Sequence, residues 1–430
     1  MKTKTLAELS LRISSGLTPL RSNPLFWAGG NVPWLKTAQL GEKYIYATCE
    51  HITEEALEKT SIKLSPKNTL SIAMYGEGKT RGNVSILKKA MTTNQACCNV
   101  EIDPDKADIE YVYYFLKNQY NELRNLSSGV RKNLNSGDIK GFPIRLPEAV
   151  IEQSRLSAVL KAIDQKVELN TRINTDLDAM VKTLYAYWFV QFDFPNEDGK
   201  PYKTSGGEMV YNEILKSEIP LGWDGNYLSD WIKADKTGDW GKEALQGNYT
   251  LQVDCIRGAD INGLNGTGKV AAPNRFILEK NTHKLLLPFD FVIEISGGSP
   301  AQSTGRISVI TEEVLERFEH PVICSNFCKA ISLKNSSYFY NFSYMWQWIY
   351  DHEILFGWEG KTSGIKNLLF DAFVTKYHVA MPPENLAKKF YDFVSPLQSK
   401  KQTLLKENAE LESLRDWLLP MLMNGQVTIK

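Results

Sequence analysis

The chain writes its own architecture twice, and this restricts its fold more than any other feature. Ser128-Gly129-Val130-Arg131 recurs as Ser363-Gly364-Ile365-Lys366, and the same offset relates Pro143-Ile144-Arg145-Leu146-Pro147 to His378-Val379-Ala380-Met381-Pro382. Nearer the amino terminus, at a shorter offset, Leu6-Ala7-Glu8-Leu9 answers Leu228-Ser229-Asp230-Trp231, and Leu35-Lys36-Thr37-Ala38-Gln39-Leu40 answers Ile256-Arg257-Gly258-Ala259-Asp260-Ile261. Thr93-Asn94-Gln95 likewise answers Ser325-Asn326-Phe327. Each copy is far longer than a solenoid unit, so the pattern predicts a duplicated domain plus helix in pseudo-twofold arrangement, not a repeat array. Two similar faces imply a partner with two similar sites.

After Pro147 the apolar period changes. Leu156, Leu160, Ile163 and Val167, then Asn170 and Asn174, then Leu177, Val181 and Leu184 step alternately by four and three, which is a heptad seam. The second copy gives Phe390, Val394, Leu397, Lys401, Leu404, Asn408 and Leu411, and runs on through Leu418. A helix of roughly 35 residues spans roughly 50 Å, and a two-fold axis makes the two antiparallel. The seam asparagines either fix register at a cost in stability or lie slightly off the seam in water, and the pattern alone leaves both open.

These elements set the expected organisation as an α+β protein. Residues 1–147 form a first mixed α/β domain, 148–190 a first spacer helix, and 191–221 a linker rich in turn residues such as Pro195, Gly199, Gly206 and Gly207. Residues 222–382 form a second domain, and 383–430 a second spacer helix and tail. Within the domains, Tyr111, Tyr114, Phe115, Asn118 and Leu123 follow Asp108 at helical spacing, and Tyr344, Trp346, Trp348 and Ile349 occupy the matching place. Such stripes belong to cores more often than to ligand platforms.

With 430 residues, 50 basic and 50 acidic, the chain lacks the strongly basic balance of many nucleic-acid binders, so DNA contact must come from local patches. Cys49, Cys97, Cys98, Cys255, Cys324 and Cys328 show no metal-ribbon spacing and the histidines are scattered, so no metal site is expected. The first residues lack a signal-peptide core and no later run is long and apolar enough to cross a bilayer, which leads to the expectation of a cytoplasmic protein.

Tyr75-Gly76-Glu77-Gly78-Lys79-Thr80-Arg81-Gly82 resembles a nucleotide loop only superficially, because a P-loop needs glycine where Ala73 stands. Its second-copy match runs from Ser296 to Arg306. Lys79, Thr80 and Arg81 in the first loop, and Gln302, Ser303, Thr304 and Arg306 in the second, carry donors suited to phosphates or base edges; an ordinary tight hairpin is the alternative. Ser128, Arg131, Lys132 and Asn133, with Lys361, Thr362, Ser363, Lys366 and Asn367, form a second pair of polar basic segments, contact sites or solvated turns. Lys36 and Arg257 occupy equivalent positions in the two copies and complete the candidates for DNA contact. No nucleophile, base or paired-carboxylate constellation stands out.

Several motifs in order resemble the specificity subunit of type I restriction-modification systems. In the first half these are Gly16-Leu17-Thr18-Pro19-Leu20-Arg21-Ser22-Asn23-Pro24, Val32-Pro33-Trp34-Leu35-Lys36-Thr37, Ile52-Thr53-Glu54-Glu55-Ala56-Leu57, Met74-Tyr75-Gly76, Thr92-Thr93-Asn94-Gln95-Ala96, and Leu146-Pro147 followed by Glu152-Gln153. The second half matches at Ile219-Pro220-Leu221-Gly222-Trp223, Gly297-Gly298-Ser299-Pro300 and Glu359-Gly360-Lys361-Thr362-Ser363-Gly364. The resemblance covers essentially the whole chain.

It implies two target-recognition domains separated by two long antiparallel coiled-coil helices, each domain reading half of a bipartite site on double-stranded DNA. It implies a non-catalytic chain with no cofactor of its own. Partners would be two modification subunits, which hold S-adenosylmethionine and methylate adenine, and two restriction subunits, which use ATP and Mg to cleave remote DNA. At the corresponding places the second half lacks counterparts of Gly16-Leu17-Thr18-Pro19 and Ile52-Thr53-Glu54-Glu55, so the half-sites are expected to differ. Two other classes compete: a coiled-coil scaffold that binds only proteins, favoured by zero net charge, and a nucleotide-using enzyme, weakened by the loop spacing.

Overall fold

The computed structural model describes residues 1–76, 78–126, 133–297, 302–362 and 365–427. It divides into two compact units, Met1–Val167 with Glu410–Lys430, and Glu168–Ala409.

In the first unit, strand Lys2–Thr5 runs antiparallel to Pro143–Leu146, pairing Lys2 with Leu146 and Thr5 with Pro143. This ribbon closes the domain just before the long helix begins. Leu6 and Leu9 follow it into the core, on a turn fixed by the Glu8 carboxylate, which accepts from the Thr5 amide at 2.6 Å. The main sheet has five strands in the order Ser10–Ser15, Cys97–Ile102, Thr69–Ala73, Val84–Leu87 and Tyr44–Ile45. Every residue of Thr69–Ala73 and Val84–Leu87 is buried, so these strands carry apolar and small residues instead of alternating with polar ones. Helix Ile109–Asn118 packs on this sheet, capped by Asp108, which accepts from the Tyr111 amide at 2.8 Å. Tyr111, Tyr114 and Phe115 are core, whereas Leu123, expected on the same helix, belongs to a separate short one, Tyr120–Asn125.

The second unit repeats this plan. Strand Asp224–Tyr227 pairs with His378–Met381, the Tyr227 amide donates to the Asp230 carboxylate at 3.1 Å, and Leu228 and Trp231 enter the core. Its main sheet runs Ile232–Thr237, Cys328–Leu333, Asp290–Glu294, Ile307–Val309. A parallel step recurs too: Leu35 pairs with Thr93 and Ile256 with Cys324. Just beyond it, the Asn94 amide donates to the Leu35 carbonyl at 2.9 Å and the Ser325 amide to the Ile256 carbonyl at 2.8 Å. The short matches read from the sequence are therefore the positions where backbone crossings must be made. Helix Phe339–Asp351 buries Tyr344, Trp346 and Ile349, while half-buried Trp348 stacks on His352. Tyr111 donates to the Arg145 carbonyl and Tyr338 to the Pro382 carbonyl, both at 3.0 Å, tying each helix layer to its closing strand.

Topology survives where residue identity does not. The run Ile52-Thr53-Glu54-Glu55 recurs as Ile310-Thr311-Glu312-Glu313, but after strand Ile307–Val309, whereas Asn274–Leu278 takes the place of Glu50–Ile52 as antiparallel partner of the strand before the parallel step. The 191–221 segment is also ordered, with a hairpin of Met209–Asn212 and Ser217–Pro220 and with Phe194 stacked on Tyr202 and Trp223.

The long helices are Val150–Tyr185, with 36 residues, continued by a π-turn at Ala186–Val190, and Glu384–Met423, with 40 residues. At ~1.5 Å per residue they extend ~54 and ~60 Å. They run antiparallel in both units: Asp164 meets Arg415 at 3.1 Å in the first, and Asn170 meets Asn408 and Asp178 meets Lys401, each at 2.9 Å, in the second. Leu156, Leu160, Ile163, Val181, Phe390, Val394 and Leu404 are buried. Val167, Leu177, Leu184, Leu397, Leu411 and Leu418 are partly so. Asn170, Asn174 and Asn408 are 0, 3 and 9% exposed, which places them on the seam and not in water. Leu156 and Leu160 also join the first domain's core, and Val181, Phe390 and Val394 the second's. Among the described residues no helix is long and apolar enough to cross a membrane.

Candidate nucleic-acid interface

The first glycine-rich loop joins strands Thr69–Ala73 and Val84–Leu87, and its base is closed by the Gly82 amide donating to the Ala73 carbonyl at 2.9 Å. Gly76 has φ 139° and a Cβ there would lie 2.7 Å from the Thr80 Cβ, so the turn needs glycine. Helix Tyr120–Asn125 anchors the tip: Tyr120 donates to the Lys79 carbonyl at 2.6 Å and Arg124 to the Gly78 carbonyl at 2.8 Å. The loop is thus a braced projection on which the Lys79 side chain is exposed and Thr80 and Arg81 are half-buried. Half-buried Asn133 lies at its foot, where the neighbouring Leu134 amide donates to the Met74 carbonyl at 3.1 Å. Ser128, Arg131 and Lys132 lie outside the described residues.

The second loop corrects the expectation. Arg306 does not present its guanidinium outward: Nε and Nη2 form a two-pronged bond to Glu294, at 2.9 and 2.7 Å, and the Glu294 side chain is 3% exposed. Ser303 and Thr304 are buried, and both give their hydroxyls to Glu359, at 3.0 and 3.1 Å. Lys366 meets the other Glu359 oxygen at 3.1 Å and reaches the Gln302 carbonyl at 3.3 Å, so it too faces inward. Burial works to raise the Glu359 carboxyl, but the Thr304 amide, Lys366 and the two hydroxyls outweigh it and hold the group below its ordinary value. Asn367 accepts from the Ser296 hydroxyl at 2.5 Å, where Ser296–Gly297 pairs with strand Ile365–Leu368. Half-buried Gln302 remains at the loop's margin. Lys361 and Thr362 lie in the strand Glu359–Thr362, and Ser363 lies outside the described residues. These donors are spent within the fold because the two strand ends carry buried carboxylates that need them.

Lys36 and Arg257 share a structural position but not a role. Lys36 and Arg21 both pair with Glu50, and the Arg21 guanidinium lies 3.7 Å from the ring centre of Trp27 and 4.7 Å from that of Trp34. Arg21 is a half-exposed cation held flat, the state in which a guanidinium forms forked bonds with little loss of freedom. Sequence reasoning missed it, since the stack joins residues separated by a turn; the Trp-Pro-Arg content of that segment was the available signal. Arg257 is committed to Asp260, at 2.9 and 3.1 Å, and to the Ala271 carbonyl at 2.8 Å. Also unforeseen is a buried network in the first unit. Lys43 lies 2.9 Å from Glu110 and 3.1 Å from Asp164, Tyr114 donates to Asp164, and Tyr44 donates to Glu110 at 2.7 Å. It fastens the first long helix to the sheet domain. Among the described residues no cluster of His, Cys, Asp or Glu is suited to hold a metal.

One α/β module built twice, each copy closed by a ribbon onto a long helix and each bearing its own braced loop, defines a class of protein with a duplicated recognition domain and a helical connector. A family model for the type I restriction modification DNA specificity domain matches residues 1–179. The chain is similar to the type I restriction enzyme MjaIX specificity subunit of Methanocaldococcus jannaschii, with 26% identity covering 97% of this chain and 91% of that one. It is similar also to the EcoR124I/EcoR124II specificity subunit of Escherichia coli, with 24% identity over 45% of this chain and 49% of the relative. The fold is shared with the crystal structure of a type I restriction-modification S subunit from M. genitalium, at TM-score 0.60 and 18% identity, over 98% of this chain and 95% of that one. The similarity to type I specificity subunits thus extends over nearly the whole chain, and the specificity-domain model over its first 179 residues.

Proposed function

We propose that the chain reads a bipartite, asymmetric site on double-stranded DNA, one half-site per module, and that the paired helices fix the interval between them. What supports this most is one topology carrying two unlike surfaces. A shared framework offers both modules the same approach to a duplex, while the exposed Lys79 loop of the first and the inward-turned Arg306 loop of the second favour different sequences. Arg21, Lys36 and Lys79 supply local positive charge in a chain of zero net charge.

In this reading the chain is a non-catalytic, cytoplasmic subunit without a cofactor of its own. It recruits two modification subunits, which hold S-adenosylmethionine and methylate adenine, and two restriction subunits that use ATP and Mg. Its buried thiols agree with that role: burial pushes Cys97, Cys98, Cys255 and Cys324 up to about 12, so they stay protonated and are poor nucleophiles. The test is methyl transfer from labelled S-adenosylmethionine to duplex DNA, with and without a modification subunit. Transfer is expected only with the partner, and transfer by the isolated chain would overturn the assignment. A protein-only scaffold would fail to retain duplex DNA in either state.

A further inference from the structure

The helix pair carries polar groups where an apolar seam would hold it more tightly. In the second unit, Asn170 Nδ2 donates to Asn408 Oδ1 at 2.9 Å and to Glu407 at 2.8 Å, and Asn408 donates to the Thr171 hydroxyl at 3.3 Å. One turn on, Asn174 is 3% exposed and neither polar atom of its amide has a hydrogen-bond partner. A further turn on, Lys401, with its side chain 6% exposed, meets Asp178 at 2.9 Å. Leucine at these positions would associate more strongly, because burying unsatisfied amides and an ammonium opposes pairing. What the polar groups supply is discrimination. Sliding the second helix one heptad in one direction sets Lys401 opposite Asn170 and Val394 opposite Asp178; the other direction sets Lys401 opposite Tyr185. Either slip leaves a buried ammonium without its carboxylate and separates Asn170 from Asn408.

We propose that Asn170, Asn174 and Asn408, with the Lys401–Asp178 ion pair, form a register lock that selects one interval between the two DNA half-sites and rejects neighbouring intervals. The interval rests on the function proposed above; the register itself does not. A heptad slip moves one helix about 10 Å along the other, or up to about three base pairs at roughly 3.4 Å each. Polar residues at single seam positions specify register at a cost in stability in coiled coils generally.

The experiment uses the full chain in a Cys49→Ser background, with nitroxide labels at Thr183→Cys and Ala409→Cys, both exposed sites of the second unit. The inter-label distance distribution is measured by pulsed electron resonance. The native lock should give a single distance. Replacing all five lock residues with leucine should raise the melting temperature and add a second distance, displaced as a slip of about 10 Å along the axis requires. If that variant does not fold, Asp178→Lys should shift the distance and the swap Asp178→Lys with Lys401→Asp should restore it. In cells carrying the modification subunit, methylome sequencing of the slipped variant should show the same half-sites at additional intervals. A variant at least as stable as the native chain with one unchanged distance overturns the lock. A second distance with an unchanged methylated interval overturns its role in DNA selection. Absence of any bipartite methylation with the native chain would instead sink the proposed function and leave the distance measurement as the test of register.

Discussion

Arg306 was expected to reach DNA and is found inside the fold, so its truncation separates the two roles sharply. Its guanidinium makes two bonds of 2.9 and 2.7 Å to Glu294, whose side chain is 3% exposed, and the strands carrying them are joined by the Glu294 amide donating to the Arg306 carbonyl at 2.9 Å. Arg306→Ala removes the cation and strands a buried carboxylate, which costs about 3–5 kcal/mol. For a cooperative unit of this size each kcal/mol lowers the midpoint by about 2–4 °C, so a fall of about 6–20 °C is expected in calorimetry of the full chain. The double variant Arg306→Leu with Glu294→Leu should recover most of that loss, because an apolar pair of similar volume replaces a buried ion pair at little net cost. A single variant that melts with the native protein but binds DNA weakly would refute the internal role and return Arg306 to the interface.

Lys79→Ala should behave oppositely, since the carbonyl of Lys79 and not its ammonium holds the loop to Tyr120: the melting temperature stays put, and if the ammonium meets a phosphate the slope of log affinity against log salt falls by about 0.9. Inserting four residues into both helices, after Thr175 and after Leu404, keeps the Asn170–Asn408 and Asp178–Lys401 levels matched and lengthens the pair by about 6 Å; the methylated half-sites should keep their sequences and move apart by about one or two base pairs, and an active variant with the original interval would show that the helices do not set it. Asp260 and Glu359 are held below the ordinary carboxyl value, Asp260 by Arg257 and the Ala271 amide acting against burial. Because their folded values lie below the unfolded ones, the stability they confer is present above about pH 4 and lost as pH falls through the folded values; thermal melts between pH 5 and 2 should show this, with a shallower pH dependence in Asp260→Asn and Glu359→Gln, and unchanged slopes would contradict it.

Much of the architecture was legible because duplication left its traces where backbone geometry allows few residues. Leu6 and Leu9, Leu228 and Trp231, and the Thr93 and Ser325 crossings are buried or hydrogen-bonded by topology, so their types persisted. The heptads were legible for the same reason, and burial of Asn170, Asn174 and Asn408 decided between the two readings that the pattern had left open. Side-chain roles in the loops were not legible. Whether Arg306 points outward depends on Glu294 in a neighbouring strand, and whether Ser303 and Thr304 face a partner depends on Glu359, which lies far along the chain. Arg21 escaped notice because its significance lies in a stack with Trp27 and Trp34 that only the folded turn assembles. The strand Asn274–Leu278 shows the converse limit, a conserved topology with no residue pattern to announce it.

Whether one chain reads two different DNA half-sites at a fixed interval is decided by single-molecule methylome sequencing of a host carrying this chain with its modification subunit. The expected result is one bipartite motif with two non-identical halves, a constant unspecified interval and methylated adenine in both halves, absent when the chain is deleted. A continuous motif, a palindromic one, or a pattern unchanged by deletion would contradict it.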